Sequence, residues 1–83
     1  MTLFTKTGCQ KCSYIKKHIP SHLEVRTYDV QTPEGLAELA YLELVPTAEK
    51  ALPILVHGDK VITGAINIKR EIQRNSLSSI LPS

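Results

Sequence analysis

The sequence predicts an α/β domain with four strands in one mixed sheet and three helices, in the order β-α-β-α-β-β-α. Three observations carry that reading. Short β-rich runs alternate with segments whose apolar residues recur at helical spacing, the pattern of strands joined by crossover helices. The run Leu52-Pro53-Ile54-Leu55-Val56 is continuously apolar, as in a strand covered on both faces. His57-Gly58-Asp59-Lys60 then turns directly into Val61-Ile62-Thr63, so the last two strands read as an antiparallel hairpin. A chain of 83 residues holds one domain with a modest core.

Taken in order, Thr2 to Thr5 is expected to be the first strand, and Lys6-Thr7-Gly8 turns the chain. The first helix is expected from about Cys9 to Ile19, with Cys12, Ile15 and Ile19 on one face. Pro20 stops it, because the residue before a proline is pushed out of the α region. From Leu23 to Val30 apolar and polar residues alternate, which reads as a half-exposed strand. Gln31-Thr32-Pro33-Glu34 has the chemistry of a helix start: Thr32 as N-cap, Pro33 at the first helical position and Glu34 on the favourable side of the dipole. That second helix is expected to turn Leu36, Leu39, Ala40 and Leu44 inward, and Val45 to Lys50, which contains Pro46, is expected to be a loop. Pro53 falls inside the apolar strand Leu52 to Val56, where proline is normally excluded, and a cis Leu52–Pro53 bond accounts for it. Gly64 ends the hairpin, and Ala65, Ile68 and Ile72 form the seam of the third helix. The domain is drawn as residues 1–75; residues 76–83 form a Ser-rich C-terminal tail that would dock through Leu77, Ile80 and Leu81.

Composition narrows the possible partners. Hydrophobic residues make up 42% of the chain, and ten Lys and Arg against eight acids, read as spread along it, leave a net charge of only +2. That balance argues against nucleic acid and against membrane surfaces. No apolar run is long enough to span a bilayer. Met1-Thr2-Leu3-Phe4-Thr5 lacks a basic segment followed by an apolar stretch, so no export signal is expected and the predicted location is cytoplasmic. There, a C-x-x-C pair points to redox or metal chemistry rather than to a structural disulfide.

The chemistry concentrates in Lys6-Thr7-Gly8-Cys9-Gln10-Lys11-Cys12, which holds both cysteines of the chain. A strand, a glycine turn and a cysteine at a helix start place Cys9 where backbone N–H groups are unpaired and the helix end carries roughly half a positive charge. A Cys9 thiolate is stabilised there, lowering its pKa towards the range of reactive cysteines. Cys12, one turn further in on the apolar side, is shielded yet within reach of Cys9. The pair reads as a dithiol redox centre, with a pair of inert buried cysteines as the alternative. A zinc site fits poorly. Cys9, Cys12, His18 and His22 read C-x2-C-x5-H-x3-H, whereas a zinc finger needs roughly twelve residues between the pairs. Pro20 also interrupts the helix between the histidines, so no metal site is expected, and the histidines read as surface (His18, His22) or turn (His57) residues. Lys6 is either a cation beside the Cys9 thiolate and a partner for a substrate carboxylate, or a solvated charge. Gln10 and Lys11, between the cysteines, are tuning positions, with the Lys11 charge favouring the thiolate; Tyr14 covers the helix.

Phe4-Thr5-Lys6-Thr7-Gly8-Cys9-Gln10-Lys11-Cys12 resembles the active-site segment of small glutaredoxins and of glutaredoxin-like thioredoxins. Those families share a strand, a lysine three residues before the first cysteine, and C-x-x-C opening a helix. Ala51-Leu52-Pro53-Ile54-Leu55-Val56 resembles their cis-proline strand, and His57 to Gly64 the hairpin and glycine that lead into the last helix. The resemblance covers residues 1 to about 75. It implies the thioredoxin fold in its minimal form and a thiol–disulfide oxidoreductase that reduces protein disulfides through the Cys9/Cys12 dithiol, which becomes the redox-active Cys9–Cys12 disulfide. It further implies a monomer without a bound cofactor. Lys6, Leu52, Pro53, Thr63 and Gly64 become substrate-binding residues by the same resemblance: the Leu52 backbone pairs with the substrate chain, and the Thr63-Gly64 region holds the γ-glutamyl end of glutathione.

The sequence also departs from these families. The polar Cys-Asp or Ser-Asp pair after the glycine is replaced by Ala65-Ile66, and the Thr-Val before the proline by Ala51-Leu52. Met1 to Thr5 lacks the buried carboxylate that thioredoxins carry on this strand. The chain thus falls between the two families, as do the small electron donors of ribonucleotide reductase. A thioredoxin reductase-like flavoprotein is the expected electron donor. The rival expectations are a glutathione-dependent glutaredoxin, and a carrier module that holds an iron–sulfur cluster or metal through Cys9 at a dimer interface.

Overall fold

A computed structural model describes the backbone of residues 1–80 and the side chains of residues 1–75. The elements run β1 (Thr2–Thr5), α1 (Gln10–Lys17), β2 (Arg26–Asp29), α2 (Pro33–Tyr41), α3 (Val45–Lys50), β3 (Ile54–His57), β4 (Lys60–Thr63) and α4 (Ala65–Ile80). The sheet is mixed, in the order β2-β1-β3-β4. β1 pairs parallel with β2 and antiparallel with β3, and β3 pairs antiparallel with β4.

β1 lies inside this sheet, and its side chains alternate between two apolar clusters. Leu3 meets Ile15 of α1, Leu55 of β3, and Ile68 and Ile72 of α4. Phe4 points the other way, to Leu39 of α2, Leu44 and Ile54, and stacks on Tyr28 with ring centroids 5.8 Å apart. β3 divides in the same manner, Leu55 to the first cluster and Ile54 to the second. A strand covered on both faces has no polar face to show, which is why this run is apolar throughout.

Several expectations are corrected. Among the described residues the helices number four, not three, because Val45–Lys50 is the helix α3 rather than a loop. Pro46 was its misleading residue: it stands in the first helical turn, where its missing N–H has no intrahelical partner to lose. Just upstream, Glu43 adopts a positive φ of 59°, the Glu43 N–H bonds to Ala40 O at 3.0 Å and the Leu44 N–H to Leu39 O at 2.9 Å. That is a Schellman ending, and it lets α3 start immediately. Pro53 does not interrupt a strand; it is the buried residue just before β3, and the Leu52–Pro53 bond is cis. β2 is shorter than the expected Leu23 to Val30, and α1 stops at Lys17, although Ile19 still packs on the first cluster. α4 runs from Ala65 through Ile80. Docking through Leu77, Ile80 and Leu81 lies outside the described residues.

His57 is the last residue of β3 rather than a turn residue, and its Nδ1 meets Glu71 Oε2 at 2.9 Å. Glu71 stands on the otherwise apolar seam of α4, one residue before Ile72, and is only 7% exposed. Hydrogen bonding to His57 holds its carboxyl below the usual range despite burial, with Asn75 Nδ2 adding a bond at 3.2 Å. The pair fastens the far end of the hairpin to α4. Among the described residues, no helix is long and apolar enough to cross a membrane.

α2 buries less than its pattern suggests: Leu39 is covered, Leu36 is 50% exposed and Ala40 is exposed. The inward position one turn before Leu39 is taken by Gly35. Thr32 caps the helix as expected, its hydroxyl accepting the Gly35 N–H at 3.0 Å and donating to Asp29 O at 2.7 Å. This draws the first turn so close to β2 that a Cβ on Gly35 would collide with the Asp29 carbonyl. Gly35→Ala should therefore destabilise the protein. The gain of roughly 0.5–1 kcal/mol in helix propensity is outweighed by an overpacking cost of about 1–3 kcal/mol. Urea unfolding should show a lower midpoint with an unchanged m-value; a raised midpoint would contradict this packing.

Candidate active site

Backbone geometry at the end of β1 sets up the site. Thr5 is buried and its hydroxyl donates to Tyr28 O at 3.4 Å. Beyond it the chain leaves the sheet, and Gly8, at φ 81°, turns it back in a conformation that favours glycine. The turn is tied to the end of β2: Thr7 Oγ1 donates to Asp29 Oδ2 at 2.9 Å, and the Thr7 N–H donates to Gln31 Oε1 at 3.3 Å. The Gln31 N–H and then the Thr7 hydroxyl hold the Asp29 carboxyl below its usual range.

Cys9 follows in extended conformation, φ −88° and ψ 114°, as the N-cap of α1. Its Sγ accepts the Cys12 N–H at 3.2 Å, the position a serine or aspartate oxygen normally takes in a cap. The Ser13 N–H closes the first turn on Cys9 O at 3.1 Å. Burial works against a Cys9 thiolate, but hydrogen bonding from Cys12, the backbone N–H groups of Cys12 and Lys11, and the Lys6 charge together bring its pKa below the ordinary thiol value. Cys12 has the opposite environment. It is 1% exposed beside Ile15, and burial, its hydrogen bond with Cys9 and the Cys9 charge push its thiol up to about 11. Both cysteines are free thiols.

The other expected residues gather at the same end of the sheet. Phe4 pairs with Ile54, and Ile54 with Thr63, so Lys6, Leu52-Pro53 and Gly64 all lie just beyond the edge at which β1 ends. Pro53 is buried, Leu52 packs on the second cluster, and Asn67 Nδ2 donates to Thr63 O at 3.2 Å. Cys9 itself opens on a different surface, a groove of about 440 Å³ lined by Gly8, Cys9, Gln10, Ser13, Tyr14 and Lys17, and Cys12 stays buried behind it. Leu52, Pro53, Thr63 and Gly64 do not line it. Of the two tuning positions, Gln10 faces the groove, and Lys11 acts on Cys9 through its backbone N–H.

Tyr14 does more than cover the helix. It accepts Lys69 Nζ of α4 on its hydroxyl at 3.1 Å, with that ammonium 5.5 Å from the ring centroid, and its other neighbour is the His18 ring at 4.3 Å. Sequence reading missed the groove, although Gln10, Ser13, Tyr14 and Lys17 stand at i, i+3, i+4 and i+7 and so share one helix face. No family model, curated protein or solved structure matches the chain. Among the described residues, no group of three or more His, Cys, Asp or Glu is placed to hold a metal ion.

The two sulfurs should titrate separately. Thiolate absorbance of the reduced protein should rise first, below the pH of an ordinary thiol, for Cys9, and again near pH 11 for Cys12. Lys6→Ala should move the first step upward and leave the second nearly in place. A single step carrying both thiols would contradict the asymmetry.

Proposed function

We propose that the chain is a thiol–disulfide oxidoreductase that reduces protein disulfides through Cys9 and Cys12, built on the minimal thioredoxin fold. One observation carries the reading: of two sulfurs one helical turn apart, the half-exposed one caps the helix with a lowered pKa and the buried one has a raised pKa. The sheet order β2-β1-β3-β4, with the dithiol at the first strand-to-helix turn, supports the fold; α3 is an added turn of helix before β3.

The Cys9 thiolate attacks one sulfur of the substrate disulfide. A Cys9–substrate S–S bond forms, the substrate S–S bond breaks, and the first substrate sulfur leaves as a thiolate that takes up a proton. Cys12 then loses its proton and attacks Cys9 Sγ. The Cys9–Cys12 bond forms and the second substrate sulfur departs, taking up a proton in turn. The substrate gains two electrons and two protons, and the protein ends as a disulfide. The Cys12 thiol stays protonated until needed, so it does not compete with Cys9 for the substrate. An extended substrate segment would lie along the Leu52 backbone in strand fashion. A flavoprotein dithiol reductase of the thioredoxin reductase class returns the two electrons, in a cytoplasmic compartment where thiols are kept reduced.

The order of attack is testable by trapping. Cys12→Ser should accumulate a mixed disulfide through Cys9 when mixed with a disulfide-bonded protein, and Cys9→Ser should accumulate none. Mass spectrometry that finds the adduct on position 12 in Cys9→Ser would reverse the assignment.

Glutathione should serve poorly as the reductant. Its γ-glutamyl end needs polar partners after Gly64, where Ala65 packs on the first core cluster and Ile66 is 70% exposed, neither offering a side-chain donor or acceptor. Each lost charge-assisted hydrogen bond costs roughly 1.5–3 kcal/mol, so binding weakens by about one to several powers of ten. Ala65→Ser combined with Ile66→Asp should raise turnover with glutathione. Equal turnover of the unaltered protein with glutathione and with a flavoprotein reductase would refute this.

A further inference from the structure

Resting on the oxidoreductase reading, we propose that the groove beside Cys9 selects disulfides set in acidic segments of partner proteins. The charges of the chain are not evenly spread, as a linear reading takes them to be. Residues 1–17 hold Lys6, Lys11, Lys16 and Lys17 and neither Asp nor Glu. Three of these lysines belong to α1, whose outer face forms the groove, and Lys17 lines it directly. Lys69 reaches across from α4 to the Tyr14 hydroxyl and adds a further cation to the rim. Apart from Asp29, the acids stand elsewhere in the sequence: Glu24 before β2, Glu34 and Glu38 on α2, then Glu43, Glu49 on α3, Asp59 in the hairpin turn and Glu71 on α4, where it meets His57. Asp29 is the acid beside the active-site turn, and its two oxygens already accept the Thr7 hydroxyl and the Gln31 N–H.

A concave surface with Lys17 in its lining, Lys69 at its rim and no acid among its lining residues concentrates anionic ligands and speeds their encounter. The 42%-exposed Tyr14 ring gives such a ligand an apolar floor one turn along from Gln10 and next to Ser13, and Lys17 stands one turn beyond Ser13. The occupant this fits is the acidic flank of a substrate peptide: while one side of its disulfide cysteine lies along the Leu52 backbone, Asp or Glu on the other side of that cysteine enters the groove past Cys9. The same cations favour the chemical step, because a second negative sulfur develops as the substrate disulfide opens.

The test uses three peptide disulfides, identical except that the residues flanking the cysteine are Glu, Gln or Lys. Oxidation of the reduced full-length protein is followed by acid quench and chromatography. The Glu peptide should react roughly tenfold faster than the Lys peptide at low salt, with the Gln peptide between. That ratio should shrink to within about twofold at 0.5 M salt, where charges are screened over a few ångströms. Lys11→Glu combined with Lys17→Glu should erase or invert the order. Lys60→Glu, at the opposite end of the sheet, makes the same kind of charge change and should leave the order intact. Equal rates for the three peptides at low salt, or the same loss of selectivity in Lys60→Glu, overturn the inference and leave the oxidoreductase reading standing. If none of the peptides is reduced, that reading fails and the inference with it.

Discussion

Leu3 and Phe4, neighbours in β1, hold the molecule together because they face opposite sides of the sheet. Leu3 anchors α1 and α4 through Ile15, Ile68 and Ile72, and Phe4 anchors the α2–α3 side through Leu39 and Leu44. A strand with helices packed on both faces has a fixed tilt and a fixed end, and the chain leaving Thr5 must cross to α1 within a few residues. Ile15 sets where α1 lies, and Gly8 permits the turn that reaches it. Cys9 becomes the N-cap through these two constraints, so the chemistry is positioned by the core and not by the loop alone.

The two ends of the sheet are held differently. At the far end, a buried Glu71 carboxylate meets His57, with Asn75 and Arg74 beside it, and only these partners together offset the cost of burying its charge. At the reactive end the ties are exposed hydrogen bonds from Thr7 to Asp29 and Gln31. Such bonds contribute little to stability, and their effect is orientation: they set the turn that aims the Cys12 N–H at Cys9 Sγ.

Much of this was legible in the sequence because it is local. Strand, glycine turn and C-x-x-C specify an N-cap cysteine with its partner three residues on, and the offset between Cys9 and Cys12 puts one outward and one inward by helix geometry alone. Thr32-Pro33 announced α2 for the same reason. What was missed depends on distant residues or on an ambiguous local signal. Tyr14 and Lys69 are 55 positions apart, and no pattern in either segment announces their contact. Leu36 has the spacing of a buried residue, and only the close approach of Gly35 to Asp29 leaves it half outside. Pro46 signals a loop and the first turn of a helix equally well. Glu71 on an apolar seam was a visible anomaly, since a buried carboxylate needs a partner, yet nothing nearby in sequence names His57 as that partner.

For the proposed oxidoreductase, the stabilisation of the Cys9 thiolate bears on redox poise as well as on reactivity. Every group that favours the thiolate also favours the dithiol form over the disulfide, and so pulls the couple towards accepting electrons. A strongly stabilised thiolate would make an oxidant, and its low basicity would make it a weaker nucleophile. At Cys9, burial opposes the thiolate while hydrogen bonds from Cys12, the Cys12 and Lys11 backbone N–H groups and the Lys6 charge favour it, with a lowered pKa as the outcome. Cys12 completes the balance. Its raised pKa gives it high intrinsic nucleophilicity once deprotonated, and during the second step its target is a neutral sulfur. In the proposed cycle, the Cys9 charge that opposes its ionisation would be consumed when the mixed disulfide forms, so the first step would prepare the second.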